Sequence, residues 1–335
     1  MSSNASASAR GWEFQENAAI LLALKHLRDV EKVRVEGQED IELTLTNGNK
    51  FYAQAKSSKD PQETKNALAV LKKALKTLDE DASLSDCERL IYVTNLDDPF
   101  VEPTSARYLS GPLSYSKFSA LPKSCQEKVK KICAEKRFVR FDFGKFYVLA
   151  FPFVGDDENK YRIVKQEAQD FLNELEIANR ISSSRILSRW QLAFRQNSSK
   201  IDTQVTISKA DLIWPLICWI CELNQDSDEL DEWDDSQKEC IVSGYQSVIN
   251  DRTENFEFVS RVMSDYNNFK SSLASALKGR QLLDKFSNEF SCKYADEFVV
   301  DVHDDVDRQD IARIALKRVV GVRARIYRIK AGAGL

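Results

Sequence analysis

The sequence predicts an α/β domain over residues 11–156, followed by a mainly α-helical domain. Three observations support this fold class. Residues 32–58 alternate between apolar and polar side chains on either side of Asn47-Gly48-Asn49, which is typical of a β-hairpin. Apolar residues recur with a helical period on both sides of that hairpin. Beyond residue 157 the helical period dominates, so we expect the sheet to be confined to the first part of the chain.

The elements of the α/β domain follow one another in a simple order. Around the hairpin we expect helices over 11–30 and 62–79, a buried strand over 89–94, a loop over 97–123, a helix over 124–136 and a strand pair over 138–153. The remaining segments complete the predicted organisation. They are a disordered leader over 1–10, a helical regulatory or interaction domain over 157–305 and a basic helix–strand linker over 306–335.

The register of the hairpin decides which side chains share a face. A three-residue loop at Asn47–Asn49 would pair apolar residues on one face, namely Leu45 with Phe51, Leu43 with Ala53 and Ile41 with Ala55. The same register would place Asp40 opposite Lys56 and Glu42 opposite Gln54 on the other face. Because a slip by one residue would mix the two faces, this arrangement is favoured.

Composition excludes several classes of protein. The 335 residues carry a net charge of −4, so any nucleic-acid surface must be local rather than global. Seven cysteines without metal-site spacing favour reduced thiols in a cytoplasmic protein. Only two histidines occur, His26 and His303, which argues against a histidine-rich zinc site, and we expect His26 to pack or cap rather than to catalyse. The longest apolar run, residues 212–221, is too short to cross a membrane.

The polar face of the hairpin has the residue types that phosphodiester hydrolysis requires. A metal ion can lower the pKa of water and neutralise charge in the transition state, and Mg²⁺ prefers oxygen ligands. Asp40 and Gln54 supply side-chain oxygens, and the carbonyl of Ala55 lies between Gln54 and Lys56. Lys56 can orient the attacking water or stabilise developing negative charge.

These residues form a pattern that resembles a known superfamily. Asp40 followed by Gln54-x-Lys56 resembles the D…(E/Q)xK core of PD-(D/E)XK nucleases, and Gly11-Trp-Glu-Phe14-Gln15 is similar to their Gly-x-x-(Phe/Tyr)-(Glu/Gln) helix element. Over residues 10–155 the pattern resembles the double-stranded DNA endonuclease effector domain of bacterial antiphage systems. That domain occurs in CBASS effectors, antiviral STAND NTPases and nucleases paired with HerA-type ATPases.

The resemblance implies a restriction-endonuclease-like mixed sheet and a set of roles. Asp40 would be the principal metal carboxylate, with Gln54 and the Ala55 carbonyl as further ligands. Lys56 would be the catalytic lysine, and Gln15 would stand where related enzymes have a helix glutamate. The cofactor would be Mg²⁺, with Mn²⁺ as a substitute, and the substrate double-stranded DNA cut with little sequence specificity. Gln54 and Gln15 are amides where many members have acids, so other carboxylates are candidates to contribute: Glu13, Glu16, Glu36 and Glu42.

Other interpretations of the same residues stay open. Asp40 and Lys56 could form an ordinary cross-strand ion pair. The two amides could mark a degenerate nuclease fold that binds nucleic acid or protein without catalysis. An RNA-directed nuclease would have the same pattern. Lysines and arginines of residues 117–140 could follow DNA phosphates or form a solvated helix face.

The partners of the chain follow from the same argument. Cutting both strands of a duplex requires two sites, so we expect a homo-oligomer, and we expect no membrane association. At the C-terminus, a predicted strand over Arg325–Ile329 precedes Ala331-Gly-Ala-Gly-Leu335, as at the beginning of a P-loop. This indicates either the start of an NTPase domain or a flexible tail. An ATPase or NTPase module in cis or in trans is therefore a candidate partner.

Overall fold

The computed structural model describes residues 2–35, 40–109, 111–198, 206–231, 233–249, 256–273, 279–299 and 305–335. The chain divides into two compact units. The first consists of Met1–Asn173 and Ser182–Lys209 with Gly334, and the second consists of Glu174–Ile181 and Ala210–Ala333 with Leu335.

The first unit contains a mixed sheet with helices on both faces. Its strands are β1 (Val30–Val35), β2 (Ile41–Leu45), β3 (Lys50–Lys56), β4 (Cys87–Thr94), β5 (Ser114–Lys117), β6 (Phe146–Ala150) and β7 (Ile207–Ser208). Its helices are α1 (Ser2–Lys25), α2 (Ala67–Asp81), α3 (Pro103–Leu109), α4 (Lys123–Lys136), α5 (Asp157–Lys160), α6 (Arg162–Glu174) and α7 (Ser183–Ser198).

Seven strands of the described chain form one sheet in the order β5-β6-β4-β3-β2-β1-β7. Strands β1, β2 and β3 are antiparallel to one another, whereas β3, β4 and β6 run parallel. The outer strands β5 and β7 are antiparallel to their neighbours. The predicted fold class, a mixed sheet flanked by helices and followed by a helical region, is confirmed.

The two faces of the sheet are covered by different helices. Helix α1 packs against β1, β2 and β3, and the His26 ring that follows it meets the ring of Phe51 edge to face. The adjacent residue Tyr52 belongs instead to a core that includes Leu71 and Leu75 of α2 and Val129 of α4. Because successive strand residues point to opposite faces, α1 covers one face and α2 and α4 cover the other.

The register of the central hairpin differs from the predicted one by two residues. Leu43 pairs with Phe51 and Ile41 with Ala53, because the loop is Thr46–Gly48 rather than Asn47–Asn49. Leu45 N–H donates to the carbonyl of Asn49 at 2.8 Å, and Gly48 has a φ of 84°. A three-residue loop that ends in a left-handed glycine is a common hairpin connection. A shift of two residues preserves which side chains share a face.

Two other predicted features of the first unit are corrected. Helix α1 begins at Ser2, so the predicted disordered leader is helical, because Ser and Ala extend an existing helix at little cost. The predicted strand pair over 138–153 contains a single strand, β6, whose antiparallel neighbour is β5. Residues 138–145 instead bring Phe141 and Phe143 against Phe146 and Phe118.

The first unit also extends beyond the boundary expected at residue 156. Helix α7 packs on α1, and the Gln191 amide donates to the side-chain oxygen of Asn17 at 2.9 Å. Strand β7 then pairs with β1 through Val33 and Ile207. Part of the predicted helical domain over 157–305 therefore belongs to the α/β unit.

The second unit is helical. It is built from α8 (Lys209–Ile220), α9 (Asp235–Val248), α10 (Phe256–Ser272), α11 (Arg280–Phe298), α12 (Asp305–Gly321) and α13 (Arg323–Ala333). Helix α12 packs against α9, α10 and α11. Edge-to-face ring pairs, Phe258 with Tyr294 and Tyr266 with Phe286, lie between α10 and α11.

The predicted strand at Arg325–Ile329 is wrong, because these residues lie in α13. The buried residues Ile326, Ile329 and Ala333 have the spacing of one helical face, which decided the local structure over the β-propensity of Ile and Tyr. The glycine-rich end therefore follows no strand, and the expected helix–strand linker over 306–335 is a pair of helices.

Candidate functional site

The candidate site lies where β3 ends. Asp40 occupies a bend just before β2, and Lys56 is the last residue of β3. Lys56 Nζ donates to Asp40 Oδ2 at 2.7 Å, and the backbone N–H of Ala55 donates to the same oxygen at 2.9 Å. The structure thus brings Asp40 and Lys56 into contact, as the sequence predicted. Ala55 contacts Asp40 through its backbone N–H, and the predicted role of its carbonyl stays a prediction.

The contact lies at the carboxyl ends of the parallel strands. Lys56 pairs with Thr94 in β4, and Thr94 pairs with Ala150 in β6, so the three strands end side by side. The carboxyl ends of parallel strands are the usual location of ligand sites in sheets of this kind. The position of the Asp40–Lys56 contact is therefore compatible with a functional site as well as with an ordinary cross-strand ion pair.

Asn95 fixes the loop that follows β3. Its side-chain oxygen accepts the N–H of Ser58 at 2.7 Å, and its amide donates to the carbonyl of Ser58 at 2.8 Å. Asn95 is buried directly after β4. Asn95 was not among the residues predicted to form the site, although a polar residue immediately after a buried strand is a signal that can indicate one.

Gln54 lies on the same face of β3 as Lys56, two residues before it. Its side chain is only 4 % exposed. Burial of an amide requires hydrogen-bond partners, and an amide oxygen is a suitable neutral ligand for a hard cation. The structure therefore keeps Gln54 as a candidate ligand.

Gln15 belongs to α1, which covers the opposite face of the sheet from Gln54 and Lys56. The residue is buried, and its Oε1 atom has no hydrogen-bond partner among the described residues. A buried carbonyl oxygen without a partner is uncommon, since it forfeits its hydration. The described contacts do not join Gln15 to the Asp40–Lys56 pair, so its predicted catalytic role stays a prediction.

The other candidate carboxylates have partners elsewhere. Glu42 accepts from Arg34 at 2.5 Å, and Glu13 binds Lys160 and the hydroxyl of Tyr161. Glu16 forms an ion pair with Arg195, and burial raises the pKa of this carboxyl despite the neighbouring guanidinium. Glu36 lies outside the described residues. Asp40 is therefore the carboxylate that contacts Lys56.

The donor set fits a weak, open Mg²⁺ site rather than a preformed one. In the part of the chain that the structure describes, no three His, Cys, Asp or Glu side chains form a group that could hold a metal. Mg²⁺, however, is often held by one or two carboxylates together with phosphate oxygens and water. Asp40, Gln54 and the Ala55 carbonyl could supply the protein's share of such a site.

His26 serves packing, as the sequence indicated. Its Nε2 atom lies 3.1 Å from the hydroxyl of Tyr115 and 3.4 Å from the Arg89 guanidinium. Burial, reinforced by the charge of Arg89, lowers the pKa of His26 to about 4. The imidazole is thus neutral at pH 7. His303 lies outside the described residues.

A basic surface is present on α4. Lys128 is paired with Glu102 at 2.8 Å, and Lys131 approaches Glu135 at 3.9 Å. The exposed cations of this helix and the loop after it are Lys123, Lys130, Lys131, Lys136, Arg137 and Arg140. Such a row can attract a polyanion by counterion release.

Comparisons of the chain with protein-family models, curated proteins and solved structures find no match. Among the described residues, none of the helices combines the length and apolar character needed to cross a membrane.

Proposed function

We propose that the chain is a metal-dependent endonuclease that hydrolyses double-stranded DNA. The observation that supports this most directly is the contact of Asp40 with Lys56 and the Ala55 amide at the carboxyl ends of the parallel strands. Its residues agree with the pattern Asp…Gln-x-Lys that resembles PD-(D/E)XK nucleases. A role as an antiphage effector and the low sequence specificity follow from that resemblance alone.

The residues of the chain would divide the work in a simple way. Asp40, Gln54 and the Ala55 carbonyl would hold Mg²⁺ or Mn²⁺, which when bound lowers the pKa of water and offsets transition-state charge. Lys56 Nζ would donate a hydrogen bond to a phosphate oxygen as negative charge develops there. Asp40, by accepting from Lys56, holds that ammonium at the strand end.

Oligomerisation and partners are part of the proposal. Cutting both strands of a duplex requires two active sites, so we propose a homo-oligomer as the active form. The exposed cations of α4 would contact the phosphate backbone. Partnership with an ATPase or NTPase module stays a prediction.

The proposal is tested by cleavage of supercoiled plasmid in Mg²⁺ and in Mn²⁺. We expect Lys56→Ala to slow cleavage by about 100-fold or more, as for loss of a catalytic side chain. The matched control is Lys50→Ala, which removes a lysine of similar exposure from the other end of β3. We expect this control to cut at the wild-type rate. Wild-type protein that leaves DNA intact, or a Lys56→Ala variant that cuts normally, contradicts catalysis.

A non-catalytic nucleic-acid-binding module is the second candidate. It is favoured because, within the described part of the chain, Asp40 is the carboxylate that contacts Lys56 and no three side chains form a metal-binding group. This alternative predicts salt-dependent binding of duplex DNA without cleavage, measured by fluorescence anisotropy. Replacing Lys130 and Lys136 with glutamate would then weaken binding while Lys56→Ala would not. A duplex RNA in the same assay distinguishes the RNA-directed alternative.

A further inference from the structure

A small cavity in the second unit is lined by three arginines. It has a volume of about 220 Å³. Arg180 follows α6 in the chain, Arg318 lies on α12 and Arg325 lies on α13, so three separate segments converge on one space. Trp219 of α8 and Asn224 also line it. Convergence of like charges from distant parts of a chain is unfavourable unless a counter-charge offsets it.

One of these arginines is held by the protein itself. Arg318 donates to Glu229 Oε1 at 2.8 Å and to the carbonyl of Glu222 at 2.6 Å. Its Nε atom is buried without a hydrogen-bond partner among the described residues. Arg318 is therefore fixed in place, with one donor still unsatisfied.

The other two arginines differ from the cations around them. On α12 and α13, the remaining basic side chains have described partners, as in Lys317 with Asp284, Arg328 with Glu176 and Lys330 with Ser260. Within the described chain, the guanidinium groups of Arg180 and Arg325 have neither an ion-pair nor a hydrogen-bond partner. Both line the same cavity, which makes a shared external ligand the simplest reason for their position.

We propose that this cavity binds a small phosphate-bearing ligand, with Arg180 and Arg325 contacting its phosphate oxygens. Guanidinium groups match phosphate oxygens through paired, charge-assisted hydrogen bonds. Arg318 adds a third positive charge to the lining, in which Glu222 is the acidic residue. The size suits one or two phosphate groups, and Trp219 also lines the cavity. This site does not depend on the proposed nuclease activity.

Calorimetric titration of the full chain tests the site with four probes: inorganic phosphate, pyrophosphate, ATP and adenosine. We expect pyrophosphate and ATP to bind and adenosine alone to give no heat. Equal affinities would identify the phosphate groups as the whole determinant, and tighter binding of ATP would identify a nucleotide. Either result supports a phosphate site.

Substitutions of the arginines test whether the ligand binds in this cavity. We expect R180Q and R325Q each to weaken pyrophosphate binding by about tenfold, the loss of one charge-assisted contact. The matched control is R328Q on the same helix, whose partner is Glu176 outside the cavity, and it should bind within about twofold of wild type. R325K keeps the positive charge but loses the planar guanidinium with its paired N–H donors, and it should bind with intermediate affinity. If R325Q does not fold, the affinity of R325K still tests whether Arg325 contacts the ligand.

Two results would overturn the proposal. One is the lack of binding by phosphate, pyrophosphate and ATP to folded wild-type protein. The other is an R328Q variant that weakens binding as much as R325Q does, since that would place the anion on the general basic surface rather than in the cavity.

Discussion

Strand β3 has a lysine–aspartate ion pair at each end. At its start, Lys50 lies 2.8 Å from Asp86, and at its end Lys56 lies 2.7 Å from Asp40. The two lysine side chains are 31 % and 32 % exposed, respectively. By chemistry, distance and lysine exposure the two pairs are nearly equivalent, yet we propose a function for one of them.

The surroundings distinguish the two ends. Asp86 also accepts the hydroxyl of Tyr52 at 2.9 Å, and its backbone carbonyl accepts the N–H of Lys50 at 2.7 Å. That end is a structural clamp between the α2–β4 connection and the strand. Asp40 instead accepts the amide of Ala55, at the edge where three parallel strands end. An ion pair thus becomes a candidate site through its position in the sheet topology.

The largest expected difference between the two ends is in cleavage. We expect Asp40→Asn to slow plasmid cutting by about 100-fold, because Asp40 is the carboxylate that we propose as the principal metal ligand. Asp86→Asn should cut at a rate within about threefold of wild type after correction for folded protein. Initial rates at saturating Mg²⁺ provide the measurement. Equal losses in both variants would show that the strand ends do not differ in function.

A smaller effect is expected from the hairpin loop that holds Asp40 beside β3. Gly48 has a φ of 84° and an added Cβ would meet nothing within 4 Å, so any cost comes from the backbone. Gly48→Ala should lower the free energy of unfolding by about 1 kcal/mol. Gly11→Ala is the control, because a helical glycine with free space around it should gain stability on substitution. Urea titrations of the two variants should shift in opposite directions.

The clamp at the start of β3 should contribute stability without activity. Tyr52→Phe removes the hydroxyl that Asp86 accepts, and we expect a loss of about 1 kcal/mol in the free energy of unfolding. Plasmid cleavage by the folded variant should be unchanged. A variant that is fully stable but cuts slowly would reverse the roles that we assign to the two ends.

The smallest expected effect is on how steeply the stability of the fold decreases at low pH. Burial raises the pKa of Asp86, but hydrogen bonds from Lys50 and Tyr52 outweigh it, so the pKa lies below its usual 3.8. A depressed pKa means that the unfolded chain binds a proton more readily than the folded one. The contribution of Asp86 is therefore full above pH 3.8 and is lost as the pH falls through the lower folded value. Thermal melts between pH 5 and 3 should show a shallower decline for Asp86→Asn than for wild type.

The sequence was sufficient to predict the candidate contact even though the register was wrong. The loop was placed one residue too late, which moved the pairing of Leu43 and Phe51 by two positions. Two is the period of a strand, so Asp40 and Lys56 stayed on one face. Which side chains share a face of a hairpin is thus easier to predict than which residues pair. Apolar alternation determines the faces, whereas loop geometry determines the pairing.

Other features depended on contacts that a single sequence does not reveal. The Arg325–Ile329 segment has the composition of a strand, but Ile326, Ile329 and Ala333 pack as one helical face in the second unit. The return of α7 and β7 to the first unit depends on pairing across more than 170 residues. The role predicted for Gln15 came from the family resemblance. Its actual neighbours depend on how α1 packs on the sheet.

The outer strands of the sheet have a consequence for assembly. Strand β5 has four residues and includes Lys117, and β7 has two residues. Short edges with charged side chains are poor templates for strand addition from another molecule. A homo-oligomer of the kind that we propose would therefore use helical or loop surfaces. Variants that shorten β7 further should expose β1 and favour aggregation over ordered assembly.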